Sequence, residues 1–344
     1  MGIRVSLEGG SVQTDWNQDE NDYQLFLYRA VNVVKSVFGS ADFLVIGSLA
    51  MNAYFRSAEQ RLVTGLDVAL PAVVAAHLLK EPSLVADKLN AEIKRRGYSD
   101  KLVLNGFPFE LGVFEPVRNT VTGKVRLVTV VKGGYSTFKE ACKMAPKMGS
   151  RIAMLDGKAQ LFSTRLSPLF FELKVWSNGQ ADQNMWLVHR SSVQKLLYSN
   201  AASEKVGMPP IEIKAPSLET LVACKLNMIY QSSVNERLIR ATPLSAHHAA
   251  KSCRPKSSPI DVYDFVMGSK LVRPFGLRKI LQPMVTEPVN AMLDMTAEAI
   301  KKMSSTKTYE ELNVFLPKKR WLDQKSWRIM CDEALVNIRK IRES

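Results

Sequence analysis

The feature that most narrows what this chain can fold into is a short apolar strand that breaks at a Gly-Ser pair into a helix and is followed by a second apolar strand carrying one acid. Phe43-Leu44-Val45-Ile46 is wholly apolar and is bounded by Asp42 and Gly47, which predicts a strand covered on both faces. Gly47-Ser48 then opens a helical pattern from Leu49 to Phe55. Leu66-Asp67-Val68-Ala69-Leu70 reads as a second buried strand, stopped by Pro71. The chemistry of this arrangement suits phosphate. Glycine lets a ligand approach the backbone, the start of a helix offers unpaired N–H groups, and a serine hydroxyl can donate to a phosphate oxygen. A carboxylate on an adjacent strand can hold the magnesium ions that bridge triphosphate oxygens.

The surrounding pattern alternates helices and strands. Tyr23, Phe26, Leu27, Ala30, Val31, Val34 and Phe38 recur at three- and four-residue steps, predicting an amphipathic helix from Asp19 to Phe38 that ends at Gly39. A helical stretch is expected from Val73 to Arg96, interrupted near Pro82. Lys101–Leu104 and Phe107–Phe114 read as a hairpin about Asn105-Gly106, a strong turn dipeptide. Lys124–Val131, Arg151–Leu155, Leu169–Trp176 and Ile211–Lys214 have strand character. Beyond Pro216 the pattern is helical: Ser217 is placed to cap a helix over Glu219–Tyr230, with Thr220 where a capping box would carry Glu. Residues 232–258 read as a loop, and helices resume over Ile260–Met267, Pro283–Met303 and from Tyr309 onward. The expected fold class is α+β, a mixed sheet flanked by helices over residues 1–215 and a mainly helical, basic domain over 216–344.

Several classes of protein are excluded at this level. No apolar run reaches the roughly 18–20 residues that span a bilayer, and Met1 opens onto mixed acidic sequence rather than a signal peptide, so a cytoplasmic location is expected. Cys142, Cys224, Cys253 and Cys331 form no C-x-x-C pair, which argues against a disulfide scaffold or structural zinc. His247-His248 with Cys253 lacks a second ligand pair. No serine sits in a Gly-x-Ser-x-Gly elbow.

With these residues in view, the chain resembles the nucleotidyltransferase superfamily, whose signature is an apolar strand, Gly-Gly or Gly-Ser, a helix, then Asp-x-Asp or Asp-x-Glu on a second strand. Gly47-Ser48 and Asp67 match; Ala69 stands where the second metal carboxylate belongs. Positions 67 and 69 share one face of a strand, and alanine cannot ligate a metal. An inactive relative, a metal held differently, and an alanine introduced to trap a complex all remain open. The spacing from Ser48 to Asp67 is long for the signature and requires an insertion around Glu59-Gln60.

The order of later segments is similar to AbiE-type toxin nucleotidyltransferases: Leu218-Glu219 through Ala223, Lys225 and Leu226, then Arg254 and Lys256, then Ile260-Asp261 through Asp264-Phe265. The resemblance spans roughly residues 40–270. It implies that Gly47, Ser48 and Lys225 contact a nucleoside triphosphate, that Asp261 and Asp264 position Lys225 or a catalytic group, and that Asp67 holds Mg2+ or Mn2+. A further metal carboxylate is expected on another strand of the sheet, Glu110 first and Glu172 second, because an acid between apolar neighbours needs a partner. The implied reaction is in-line transfer of a nucleoside monophosphate to an acceptor, RNA of the tRNA kind being the leading choice, with a protein antitoxin or regulator as a further candidate partner. The competing reading is a degenerate scaffold of the same fold that binds RNA or a protein.

Charge enters the argument here. Lys and Arg number 47 against 33 Asp and Glu, a formal net charge of +14, which draws polyanions from a distance. The expected RNA-facing residues are Arg254, Lys256, Arg273, Arg278, Lys279, Lys318, Lys319 and Arg320, with Trp321 or Trp327 available for base stacking.

Overall fold

The computed structural model describes residues 18–39, 43–63, 65–71, 73, 82–98, 101–104, 107–110, 114–118, 125–129, 150–155, 158–163, 172–177, 191–241, 258–283, 287–313 and 315–344, with the backbone alone described between 101 and 177. The chain opens with helix α1 (Gln18–Phe38). Its expected apolar stripe, Phe26, Leu27, Ala30, Val31, Val34 and Phe38, is buried. Strand β1 (Leu44–Ile46) runs into the short helix α2 (Gly47–Asn52), and β2 (Gly65–Leu70) follows. Helix α3 (Pro82–Arg95) precedes β3 (Lys101–Leu104), β4 (Phe107–Glu110), β5 (Phe114–Arg118) and β6 (Val125–Thr129). Next come β7 (Ser150–Leu155), β8 (Lys158–Ser163), β9 (Glu172–Ser177), β10 (Val193–Tyr198), α4 (Ala201–Lys205) and β11 (Ile211–Pro216).

A mixed five-stranded sheet in the order β1-β2-β9-β6-β5 carries the site. Strand β2 lies inside it, antiparallel to β1 and parallel to β9. The register sets Ile46 opposite Asp67 and Leu44 opposite Ala69. Strand β9 puts Glu172 opposite Gly65 and Lys174 opposite Asp67. The pairs β3–β4, β7–β8 and β10–β11 stand as separate two-stranded sheets.

The remaining elements are helical: α5 (Leu218–Ala241), α6 (Pro259–Ser269), α7 (Pro274–Leu281), α8 (Val289–Ser304), α9 (Tyr309–Asn313), a 3₁₀ turn (Lys318–Arg320) and α10 (Gln324–Glu343). The α+β architecture with a helical C-terminal region is therefore as expected. Several local readings differ: β8 and α4 fall where no element is expected, and the strand expected over Phe107–Phe114 is split between β4 and β5. Residues 232–241 continue helix α5 rather than forming a loop; Ser232 and Ser233 are buried there, so packing overrides their small polar character. Strand β10 is absent from the expected set because five of its six residues face outward or half outward, leaving little periodic signal. Helix α7 occupies a stretch with no expected element, its Pro274 start pre-set for a first turn.

Two features show why the halves interlock. One buried apolar cluster runs from α1 and the β1–β2 strands through α5, α6, α8 and α10, across residue 215. At its centre, Gly268 of α6 lies so close to α5 and α2 that a β-carbon there would stand 2.5 Å from Val222 Cγ2 and 3.2 Å from Met51 Cε. Helix α10 buries Trp327, Cys331, Ala334, Ile338 and Ile341 along one stripe, and Asp323 caps it by accepting from the Ser326 N–H at 2.7 Å.

Candidate functional site

The site forms where β1 ends. Antiparallel pairing of Ile46 with Asp67 brings the acid beside the next residue, Gly47, which turns the chain with φ +69°. A side chain at 47 would place its β-carbon 2.8 Å from Asp67 Oδ2. Gly47 and Asp67 thus face each other, both half-buried, as the sequence pattern requires.

Ser48, on the first turn of α2, sits at the hub of a buried ionic network. Its Oγ accepts from Arg61 Nη2 at 2.6 Å and from Lys225 Nζ at 3.3 Å, and donates to Asp264 Oδ2 at 3.5 Å. Lys225 on α5 also reaches Asp261 Oδ1 at 2.8 Å and Asp264 Oδ2 at 2.9 Å. Arg61 grips Asp264 with both edges, Nε to Oδ1 and Nη2 to Oδ2 at 2.7 Å each, and donates Nη1 to the Leu62 carbonyl at 2.8 Å. Asp261 and Asp264 lie on the same face of α6, one turn apart, as their three-residue spacing dictates. All four charged residues are buried.

The electrostatics follow from that burial. Removal from water would push the Asp264 carboxyl upward, but the Arg61 and Lys225 charges and hydrogen bonds outweigh it and hold the group down at about 2. Burial would likewise strip the proton from Lys225; Asp261 and Asp264 reverse that and raise its affinity for the proton. Arg61 is also held in its charged form, burial opposing and Asp264 prevailing. Two cations and two anions therefore balance in a closed network. An ammonium has three protons to donate, and those of Lys225 have three acceptors. Lys225 is too firmly protonated to serve as a base.

Arg61 is the residue that sequence reasoning missed. It falls at the end of the stretch that the signature assigns to an insertion, yet two acids on one face of α6 beside a single lysine leave a negative charge that a buried site must balance. That imbalance is the signal that could have found it. Gln60 braces the same segment, its Nε2 donating to the carbonyls of Asn52 at 3.1 Å and Ser199 at 3.0 Å, while Asn52 Nδ2 donates to the Arg61 carbonyl at 2.7 Å.

The metal expectation fares differently for each residue. Ala69 is 1% exposed and packs with Ile46 and Leu44, so the face where a second carboxylate would stand is closed by apolar side chains. Glu110 lies on β4, whose sheet is separate from that of Asp67. Glu172 lies on β9, adjacent to β2, at the register position opposite Gly65. Among the described residues no three Asp, Glu, His or Cys side chains come together. A divalent cation held by the pair at 67 and 69 does not fit this donor set.

Of the basic residues, Arg254 and Lys256 lie outside the described residues, as do His247, His248 and Cys253. Arg278 closes the end of α10 by donating to the Ile341 and Arg342 carbonyls and to Asn290. Arg320 donates to the carbonyls of Ala58, Glu59 and Gln60 at 2.9–3.0 Å and to the Tyr263 hydroxyl, bolting the 3₁₀ turn to the segment that leads into Arg61. Lys279 lies over the Phe275 ring at 5.6 Å. Arg273, Lys318 and Lys319 are exposed. Trp327 is wholly buried, its indole N–H donating to the Met303 carbonyl, which removes it as a stacking surface; Trp321 is 48% exposed.

No family model matches the chain, and no curated protein matches it by sequence. Among solved structures it is similar to an antigenic nucleotidyltransferase-like protein from Paracoccidioides brasiliensis, at 14% identity, covering 80% of this chain and 93% of that one, with a TM-score of 0.32. A superposition that loose leaves the functional reading to the geometry of the site. No helix among the described residues is long and apolar enough to cross a membrane.

Proposed function

We propose that this chain is a nucleotidyltransferase-fold protein that has lost the transfer step and keeps the fold as a binding scaffold. The observation that carries this is the closed network: every ammonium proton of Lys225 is committed to Ser48, Asp261 or Asp264, so the groups that would meet a triphosphate are spent on holding α2, α5 and α6 together. Ala69, buried under Ile46, supports the same reading. Transfer of a nucleotide needs charge stabilisation aimed at the developing oxyanions, and here that charge is internally neutralised. The network's role is to fix the turn at Gly47 relative to the helical region.

The contact between Gly47 and Asp67 favours a second reading, in which the chain transfers nucleoside monophosphates to RNA with Asp67 and a neighbouring-strand acid as metal ligands. Label transfer separates the two. The protein is incubated with each α-labelled nucleoside triphosphate, magnesium or manganese, and total RNA; the scaffold reading expects no labelled RNA, from the natural chain or from Ala69→Asp. Ala69→Asp is also expected to melt several degrees lower, since an unpaired carboxylate at a buried position costs about 3–5 kcal/mol. Transfer by the natural chain would overturn the scaffold reading and establish the second. Transfer by Ala69→Asp alone would mean that the alanine, rather than the network, silences the site.

A further inference from the structure

At one end of the helical region three elements gather exposed cations. The indole N–H of Trp327 donates to the Met303 carbonyl at 3.0 Å and Gln324 Nε2 donates to the Ser304 carbonyl at 2.9 Å, so the last turn of α8 meets the first turn of α10. Lys301 and Lys302 on α8 and Lys325 and Arg328 on α10 are exposed there. The 3₁₀ turn that leads into α10 adds exposed Lys318 and Lys319. It is held in place from beneath by Arg320, whose guanidinium is spent on the carbonyls of residues 58–60. The exposed acids on the same stretches of chain are Glu298, about one turn before Lys301 and Lys302, Glu310, Glu311 and Asp323, the last engaged in capping α10, and Asp332, about one turn beyond Arg328. The patch is therefore net positive on a chain of net +14.

Trp321 stands between the 3₁₀ turn and α10. Its Nε1 donates to the Leu316 carbonyl at 2.9 Å, and the adjoining backbone is pinned by reciprocal bonds between Asn313 and Leu322 at 2.8 Å. The ring is thus anchored by its polar edge while the residue as a whole is exposed, at 48%. A side chain that anchors in a lipid surface keeps its indole N–H for headgroups, whereas an exposed indole whose N–H is committed to the backbone can still stack a base, with the exposed cations of the neighbouring turn and helix left to meet phosphates. Single strands present unstacked bases alongside a continuous phosphate backbone, which is what an aromatic platform ringed by lysines recognises.

We propose that this face, centred on Trp321 with Lys318, Lys319, Lys325 and Arg328, docks single-stranded nucleic acid. The inference deepens the scaffold reading by naming the partner and the surface, and it stands on residues remote from the Gly47 turn. The label-transfer experiment tests the scaffold; binding tests this surface, so the two fail separately.

The test uses the full chain and a fluorescein-labelled single-stranded RNA of about 15 nucleotides, within the usual site size for such grooves, titrated by fluorescence anisotropy over a series of salt concentrations. Replacing both Lys318 and Lys319 by Gln is expected to weaken binding and to lower the slope of log affinity against log salt by about 1.4, roughly 0.7 for each single-strand phosphate left without its cation. Trp321→Ala is expected to weaken binding about tenfold with the slope unchanged, and Trp321→Phe, which keeps a ring, to bind within about threefold of the natural chain. As a charge-matched control, Lys88 and Lys94 on α3, both exposed, are changed together to Gln; affinity and slope should stay unchanged. The proposal is overturned by no binding of the natural chain, by equal losses in the two lysine pairs, or by a Trp321→Phe loss as large as that of Trp321→Ala. It is overturned as well if vesicles of phosphatidylserine are bound in a Trp321-dependent way while the RNA is not.

Discussion

Replacing Asp264 by Asn tests the central network directly. The substitution keeps the shape of the side chain but removes a charge that accepts two bonds from Arg61 at 2.7 Å and one from Lys225 at 2.9 Å at a residue 1% exposed. The new amide also turns N–H protons toward one of the two cations. Removing one partner of a buried pair leaves the other uncompensated and costs about 3–5 kcal/mol. At about 2–4 °C per kcal/mol for a domain of about 150–250 residues, the melting temperature at neutral pH should fall by about 10 °C. The acid limb supplies an independent check. The Asp264 carboxyl is held at about 2 against an ordinary value of 3.8. A carboxyl depressed on folding contributes stability that is present above its unfolded value and disappears as the pH falls through its folded one. Between pH 4 and pH 2 the natural chain should therefore lose about 2 kcal/mol from this group alone, and Asp264→Asn should lack that component. Circular dichroism melts at pH 7, 4, 3 and 2.5 would report both effects. A neutral-pH melt within about 2 °C of the natural chain, or an acid slope identical to it, would refute the idea that the network is a buried, mutually compensating set.

Two glycines give further tests. Gly47→Ala forces an L side chain to φ +69° and drives its β-carbon to within 2.8 Å of Asp67 Oδ2; urea unfolding should show a loss of about 1–2 kcal/mol from the backbone alone, and an unchanged midpoint would refute the contact. Gly268→Ala improves helix propensity by up to about 1 kcal/mol yet sets a β-carbon 2.5 Å from Val222 Cγ2. Overpacking costs about 1–3 kcal/mol, so net destabilisation is expected, with recovery when Val222→Ala is added; net stabilisation of the single variant would contradict the close approach of α5 and α6.

How far the sequence can be read depends on whether the governing interaction is local. Helix α1 is legible because its apolar residues repeat at the helical period, and α10 carries the same kind of stripe from Trp327 to Ile341. The turn at Gly47 and the acid of β2 are legible because a glycine at a strand-to-helix break and an acid in an apolar run are each unusual within a few residues. Ala69 is legible for the same reason: its inability to bind a metal is a property of the residue itself. Strand β10 escapes because it alternates weakly, and helix α7 because it is only 8 residues long.

What the tertiary structure decides is partnership. Arg61 finds Asp264 across 203 residues of chain, and nothing near either one in sequence announces the pairing. Glu110 and Glu172 sit in similar apolar stretches of sequence, yet the sheet order puts only the second on a strand beside Asp67. Arg320 reads as one of three adjacent cations, but hydrogen bonds to residues 58–60 make it a bolt, whereas Lys318 and Lys319 are exposed at the surface. Trp321 and Trp327 are six residues apart, one half-open and the other sealed. Periodicity and residue chemistry act over a single turn or strand, so the sequence carries them openly. Which charge is neutralised and which surface stays wet depends on how distant elements pack, because the energy of a charge is set by whatever surrounds it in space.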